Sequence, residues 1–187
     1  MNKTPTLETE RLILRPIAIT DAPSIQKYFN NWDIIKNLST AVPWPYPGDG
    51  AETFIRENAL PRMENKGHMV WGLVPKSGPN ETVGIIDFGI SRSSLGDRGF
   101  WIATEFQSKG YMTEAICRVN DYLFFELGIE EFRVCNAKTN EKSRRVKEKT
   151  GAVFIGMGEL AHHNGETQSE VWEVTRENWA KIRGNTL

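Results

Sequence analysis

Three groups of residues have the types and spacing to do chemistry. The first is Gln107-Ser108-Lys109-Gly110-Tyr111-Met112-Thr113, set between the apolar run Phe100-Trp101-Ile102-Ala103 and a long helical pattern. Strand, short loop and helix start in that order aim unpaired backbone N–H groups and the positive end of a helix dipole at one point, which suits a phosphate. Gly110 lets the backbone approach such an anion, and Lys109 adds a charge. No Gly-Lys-Ser/Thr closes the stretch, so it is not a Walker loop, and one glycine where three are needed excludes the dinucleotide fingerprint. The second group is Asn140 and Ser143, which fall at the N-cap and N3 positions of a polar helical segment. The third is a set of proton carriers. Asp87 interrupts the run Val83-Gly84-Ile85-Ile86-Asp87-Phe88 and must reach solvent or find a partner, a structural role being the reading the pattern favours. His162 and His163 point opposite ways on a strand end with no carboxylate or cysteine cluster beside them, so no metal is expected, although a histidine next to an acceptor can act as a base.

The elements that must position these groups are legible from period and punctuation. Residues 9–16 read as a short strand ending at Pro16, and Thr20-Asp21 caps a helix to about Phe29 with Ile25, Tyr28 and Phe29 on one face. Val42-Pro-Trp-Pro-Tyr-Pro-Gly-Asp-Gly50 excludes helix, and its stiffness either presents Trp44 and Tyr46 to a ligand or lays them over the core. A helix follows from Ala51, kinked or ended by Pro61 before a last turn to Asn65. His68–Pro75, Thr82–Ser91 and Arg98–Ala103 read as an antiparallel meander. Ala115, Ile116, Val119, Leu123 and Leu127 recur at helical spacing up to a C′ residue, Gly128. A strand at 132–135 follows, parallel to 98–103 because a helical crossover joins them. Strands at 153–160 and 168–175 form a hairpin with a 161–167 loop, and a charged helix runs from Arg176 to about Arg183.

Composition narrows the class. A chain of 187 residues with 39% hydrophobic and 25% charged content fits one core, so residues 1–187 are expected to form one domain. A net charge of −1 argues against general nucleic-acid binding. Cys117 and Cys135 lack zinc or redox spacing and fit structural thiols in a reducing compartment. With no apolar leader and no stretch long enough for a membrane span, a cytoplasmic protein is expected.

Three stretches carry a resemblance to GNAT-type acyl-CoA N-acetyltransferases. Gln107, Gly110 and Met112 take the positions of that family's Q/R-x-x-G-x-G/A pyrophosphate loop, Met112 replacing a small residue, so that its side chain either crowds the pyrophosphate or enters the core. Thr9-Glu10-Arg11-Leu12-Ile13-Leu14-Arg15-Pro16 and the Thr20-Asp21 cap resemble the start of the RimJ/RimL-like branch, the ribosomal-protein N-terminal acetyltransferases. Asn140 to Ala152 resembles N-x-x-S-x-x-x-x-E-K-x-G-F, with Lys147 and Thr150 where leucines usually sit.

The resemblance implies a mixed α/β fold, GNAT-like, with a mostly antiparallel sheet, a splayed parallel pair at 98–103 and 132–135, and helices on both faces. It implies acetyl-CoA as cosubstrate, with no metal, held by Gln107 to Thr113, by Asn140 and Ser143, and by backbone at Trp101, Ile102 and Ala103 that pairs with the pantetheine arm and polarises the thioester. Ser143 would protonate the departing thiolate. The base that deprotonates the amine would come from Glu159, Asp97, His162, His163 or Asp87, with Glu159 favoured. The acceptor expected is a protein or peptide α-amine, held between the Trp44-Pro45-Tyr46 loop and the 161–167 hairpin as two walls of an open groove. A small-molecule amine and a non-catalytic acyl-CoA-binding module are the alternatives, and a monomer or homodimer is expected.

Overall fold

The computed structural model describes residues 3–64, 67–89 and 96–184. The first expected strand is a hairpin, β1 (Leu7–Glu8) against β2 (Leu12–Pro16). Thr9 closes it, its amide donating to the Leu12 carbonyl and its Oγ accepting from the Leu12 amide. Asp21 takes the N-cap position of α1 (Ala22–Phe29) but makes no side-chain cap bond to it. Its carboxylate accepts instead from the Ala18 amide at 2.8 Å, closing a 3₁₀ turn ahead of the helix. An extra short helix, α2 (Trp32–Ile35), is capped by Asn31, whose side chain accepts from the Asp33 amide.

Pro61 lies inside a helical stretch that it was expected to kink or end. Between α3 (Gly50–Thr53) and α4 (Leu60–Glu64) the chain runs as a π-helical segment, Phe54–Ala59. A widened turn just ahead of a residue with no N–H and a bulky ring lets the helix continue past it. Asn65, the expected end of that helix, lies outside the described residues.

A five-stranded antiparallel sheet follows in the order β1-β2-β3-β4-β5, adding β3 (His68–Pro75), β4 (Gly84–Gly89) and β5 (Arg98–Ile102). Of the expected strand 82–91, residues 84–89 pair, while Ile90 and Ser91 lie outside the described residues. A second sheet has the order β6-β8-β7, from β6 (Glu131–Ala137), β7 (Val153–Glu159) and β8 (Gln168–Thr175). Helices α5 (Tyr111–Asp121), extended by a π-helical turn to Glu126, α6 (Glu141–Lys149) and α7 (Arg176–Arg183) complete the chain.

The two sheets meet at the start of β5, where the Asp97 amide donates to the Arg133 carbonyl at 2.7 Å and the Arg133 amide donates to the Asp97 carboxylate at 3.1 Å. Past that point β5 and β6 share no ladder among the described residues, yet both run toward one end, where Lys142 Nζ donates to Gln107 Oε1 at 2.9 Å. The expected splayed parallel pair is thus present, closed at Asp97 and open at Gln107. Helices cover both faces. Ala115, Ile116, Val119 and Leu123 pack with Trp71, Phe88 and Phe132 on one face, and Ile25, Phe29, Ile35 and Ile55 pack with Val70 and Ile85 on the other. Each fully buried Val, Ile or Leu among them contributes about 1.5 to 3 kcal/mol, so α5 is pinned to the sheet and its first turn holds still.

Candidate active site

Gly110 sits in the left-handed region, φ +81°, at the N-cap of α5, and has no side chain to offer the first-turn N–H groups. Those groups stay available to an anion. Met112 is 6% exposed and belongs to the core, so it leaves the approach to the loop open. Lys109 lies over the Phe106 ring and Tyr111 under the Arg11 guanidinium. Arg11 was not singled out in the sequence, yet it braces the loop: its Nη1 donates to the Lys109 carbonyl at 2.9 Å and its Nε to Glu114 at 2.6 Å. Arg11, Lys109 and Lys142 together give the open end a basic rim suited to phosphates.

Strand register decides which backbone faces the gap. The Ala103 amide donates to the Val83 carbonyl, so in the β4–β5 ladder Ala103 and Trp101 are bonded to β4, and the intervening Phe100 and Ile102 point their amides and carbonyls toward β6. Ala103 and Trp101 therefore cannot offer free backbone to a cosubstrate, which corrects the expectation for both. Trp101 instead packs its ring on Phe29. Phe100, absent from the expected set, joins Ile102 there. Gln107 is more of a brace than an anion ligand, since its Nε2 donates to the Ile102 carbonyl at 3.0 Å while its Oε1 takes Lys142.

Across the gap, Asn140 caps α6 as expected, its Oδ1 accepting from the Ser143 amide at 3.1 Å. Ser143 Oγ accepts in turn from Lys147 Nζ at 2.7 Å. Lys147 is 1% exposed, and burial together with the neighbouring Arg98 guanidinium pushes its ammonium down to about 7.

The candidate bases separate by position. Asp97 belongs to the closed end, five residues or about 17 Å of strand from Ile102, where it clamps β6. That position is remote from the open end of the pair. Asp87 has found its partners, Arg62 at 2.9 Å and His68 at 2.8 Å, on the α1 face of the sheet. Glu159 pairs with Gln168 at the outer edge of the second sheet, and the pleat gives it the same face as Glu170, which α6 covers through Arg144. His162 is buried with Nε2 2.8 Å from Ser169 Oγ, and burial lowers its imidazole below the ordinary value. His163 Nε2 donates to the Val42 carbonyl at 2.7 Å, which leaves Nδ1 as its open acceptor.

The expected two-walled groove is one wall. The hairpin loop docks on residues 36–42, through Thr40 to the Ala161 carbonyl, His163 to the Leu38 carbonyl and Asn164 to the Lys36 carbonyl. Two segments so bonded cannot stand on opposite sides of a cleft. Tyr46 is a core residue, edge-on to Phe29, with burial raising its phenol to about 12, so it is not open to a substrate. Trp44 is 39% exposed and lies tilted against Trp32, at 41%, with the ring centres 5.1 Å apart, and His163 meets the edge of Trp32. Asn164 Nδ2 reaches Thr139 Oγ1 at 3.1 Å, which brings this aromatic wall to the start of α6.

A sheet opened between two parallel strands, with a glycine-capped helix start and a serine-bearing helix at its mouth, defines an acyltransferase of the acyl-CoA-dependent class. The chain belongs to the acetyltransferase (GNAT) domain family, whose model matches residues 11–153. It is 45% identical over 58 residues to YdaF of Bacillus subtilis, by its name a candidate ribosomal N-acetyltransferase, a match spanning 31% of this chain and 32% of that one. It is 29% identical over 154 residues to the uncharacterised N-acetyltransferase YoaA of the same organism, covering 79% and 82% of the two chains. In fold it is similar to Mycobacterium smegmatis RimJ solved with CoA-disulfide, with a TM-score of 0.76, 16% identity, and 98% and 95% of the chains covered. Among the described residues no helix is long and apolar enough to cross a membrane, and no cluster of three or more His, Cys, Asp or Glu is placed to hold a metal.

Proposed function

We propose that this N-acetyltransferase acts on the α-amine of a protein or peptide N-terminus. The observation that carries the reading is the exposed pair Trp32 and Trp44, with half-buried His163 beside Trp32, an aromatic face near the open end of the sheet on which a peptide could lie. The names of YdaF and RimJ and the RimJ/RimL-like start of the chain support it.

The residues fit acetyl-CoA: a glycine-capped helix start with a basic rim for the phosphates, and the Phe100 and Ile102 backbone for the pantetheine amides. The bound cosubstrate supplies an activated acetyl thioester. The Ile102 amide, aimed into the gap, is the donor for the thioester oxygen. His163, its tautomer fixed by Val42, takes the proton of the attacking amine at Nδ1 or through one water. Ser143 Oγ gives its proton to the departing sulfur. An N-terminal amine has an ordinary pKa of roughly 7.7 to 8.0 against about 10.4 for lysine, so an imidazole suffices for the former.

Mass spectrometry of peptides carrying both amines tests this directly. Acetylation is expected at the N-terminus; exclusive lysine acetylation, or turnover confined to small amines, would overturn the acceptor.

A further inference from the structure

Lys147 stands where the family pattern has leucine, and no carboxylate among the described residues bonds to it. Its ammonium lies inside the molecule, one helical turn beyond Ser143, with its Nζ 2.7 Å from Ser143 Oγ and 5.4 Å from the centre of the Phe100 ring. The groups facing it are Arg98 from β5, Cys135 from β6 and Glu170 from β8. Glu170 is committed elsewhere, bound by both Nε and Nη2 of Arg144 and by Asn136 Nδ2 at 3.0 Å. Arg98 is itself buried, with Nη1 donating to Asn120 Oδ1 at 2.7 Å and, among the described residues, with Nε and Nη2 unbonded. Among the described residues neither Lys147 nor Arg98 forms an ion pair. A buried cation costs stability unless something compensates it, and a leucine here would pack without that cost. The hydrogen bond to Ser143 is what the lysine adds.

We propose that Lys147 is a positioning residue and proton reserve for Ser143. As the carbon–sulfur bond breaks and its electron pair stays on sulfur, Ser143 Oγ–H passes its proton to the sulfur, and Lys147 Nζ passes one of its protons to Oγ. The products are the CoA thiol, an intact serine and a neutral lysine amine, which regains its proton from water before the next turnover. The serine never carries a full negative charge in a dry site, and the lysine can release a proton because Arg98 and burial already disfavour its charge. The hydrogen bond also fixes the Ser143 rotamer, leaving the Oγ proton free to point at the sulfur.

The inference rests on the acetyl-transfer reading. The test compares the full chain with Lys147→Met, whose side chain has a similar length and no titratable proton. With a peptide acceptor and chemistry limiting, kcat should fall on the order of tenfold or more while KM for acetyl-CoA stays within about twofold. The parent kcat should also decline as pH rises through about 7, because the reserve is then empty, and this limb should vanish in the variant. Ser143→Ala with Lys147→Met should be no slower than Ser143→Ala alone, since the two act as one unit. An unchanged kcat in Lys147→Met, or losses that multiply in the double variant, overturns the proposal. Should Lys147→Met fail to fold, Lys147→Gln carries the same comparison. If the parent chain acetylates no amine at all, the function reading has failed separately, and nitrogen NMR of Lys147 decides the inference: an Nζ that titrates near 7 and moves on Ser143→Ala supports it, and one that stays charged well above that pH overturns it.

Discussion

Gly110 concentrates the binding argument at a single residue. Its φ of +81° costs a β-branched residue about 1 to 2 kcal/mol, and a Cβ there would come 3.3 Å from Arg11 Nη2. The arginine tip can move, so the fold should survive Gly110→Val while the anion's approach to the first-turn N–H groups is blocked. The expected outcome is a loss of CoA affinity of roughly tenfold or more with an intact circular dichroism spectrum; calorimetry giving the parent affinity in a folded variant would remove the loop from the binding site. At the same scale the structure separates lookalikes. Three acidic residues and two histidines satisfied the chemical requirement for a base, and only their surroundings distinguish Asp97 in its clamp and Asp87 in its ion pairs from His163 with an open Nδ1.

At the scale of elements, α6 carries both Ser143 and Lys147, and its first turn is set by one hydrogen bond from the Ser143 amide to Asn140 Oδ1. Asn140→Ala should destabilise the protein by about 1 kcal/mol. The lost cap belongs to Ser143 itself, so kcat should fall further than thermal stability alone explains, whereas Asn140→Asp, which restores the acceptor, should recover both. Equal recovery by Asn140→Gly, which keeps the backbone start but no acceptor, would show that the cap does not position the serine. The loop of α5 has a different support, because Arg11 reaches it from the β1–β2 hairpin across 98 residues of sequence.

Two features of the whole molecule are open to measurement. Asp97 joins the two sheets at the closed end, so Asp97→Asn should lower stability by about 1 kcal/mol and leave the pH profile of kcat unchanged. A variant that folds like the parent but loses a pH-rate limb would restore Asp97 as a base. Asp21 ties the entry of α1 to the first sheet through Arg15, the Ala18 amide and the Thr82 hydroxyl. Burial pushes its carboxyl upward, but those three donors outweigh burial and hold it below the ordinary carboxylate value. A folded pKa below the unfolded one means stability that is fully present above the unfolded value and lost as pH falls through the folded one. Thermal melts of the parent and Asp21→Asn should therefore differ most at neutral pH and converge in strong acid; a constant gap across that range would exclude the linkage.

What the sequence determined by itself is local. Gly110 and Gly128 mark the two ends of the α5 stretch because only positive φ suits them there, the 3.6-residue spacing of Ala115, Ile116, Val119 and Leu123 selects the buried face, and Asn140 caps a helix it adjoins. These follow from backbone sterics and from hydrogen bonds spanning a few residues, and motif spacing added the family because the same local rules recur in its members. Tertiary structure alone decided the state and partner of each charged group. In the sequence Lys147 is only a lysine where leucine usually sits, and it is burial among β5, β6 and β8, with Arg98 beside it, that lowers its ammonium to about 7 next to Ser143. His163 meets the Val42 carbonyl across 121 residues, Tyr46 is taken into the core by Phe29, and the strand register that turns Phe100 rather than Trp101 toward the gap is set by how β4 pairs with β5. Dielectric, partner and register are properties of what distant segments place around a residue, and no spacing along the chain encodes them.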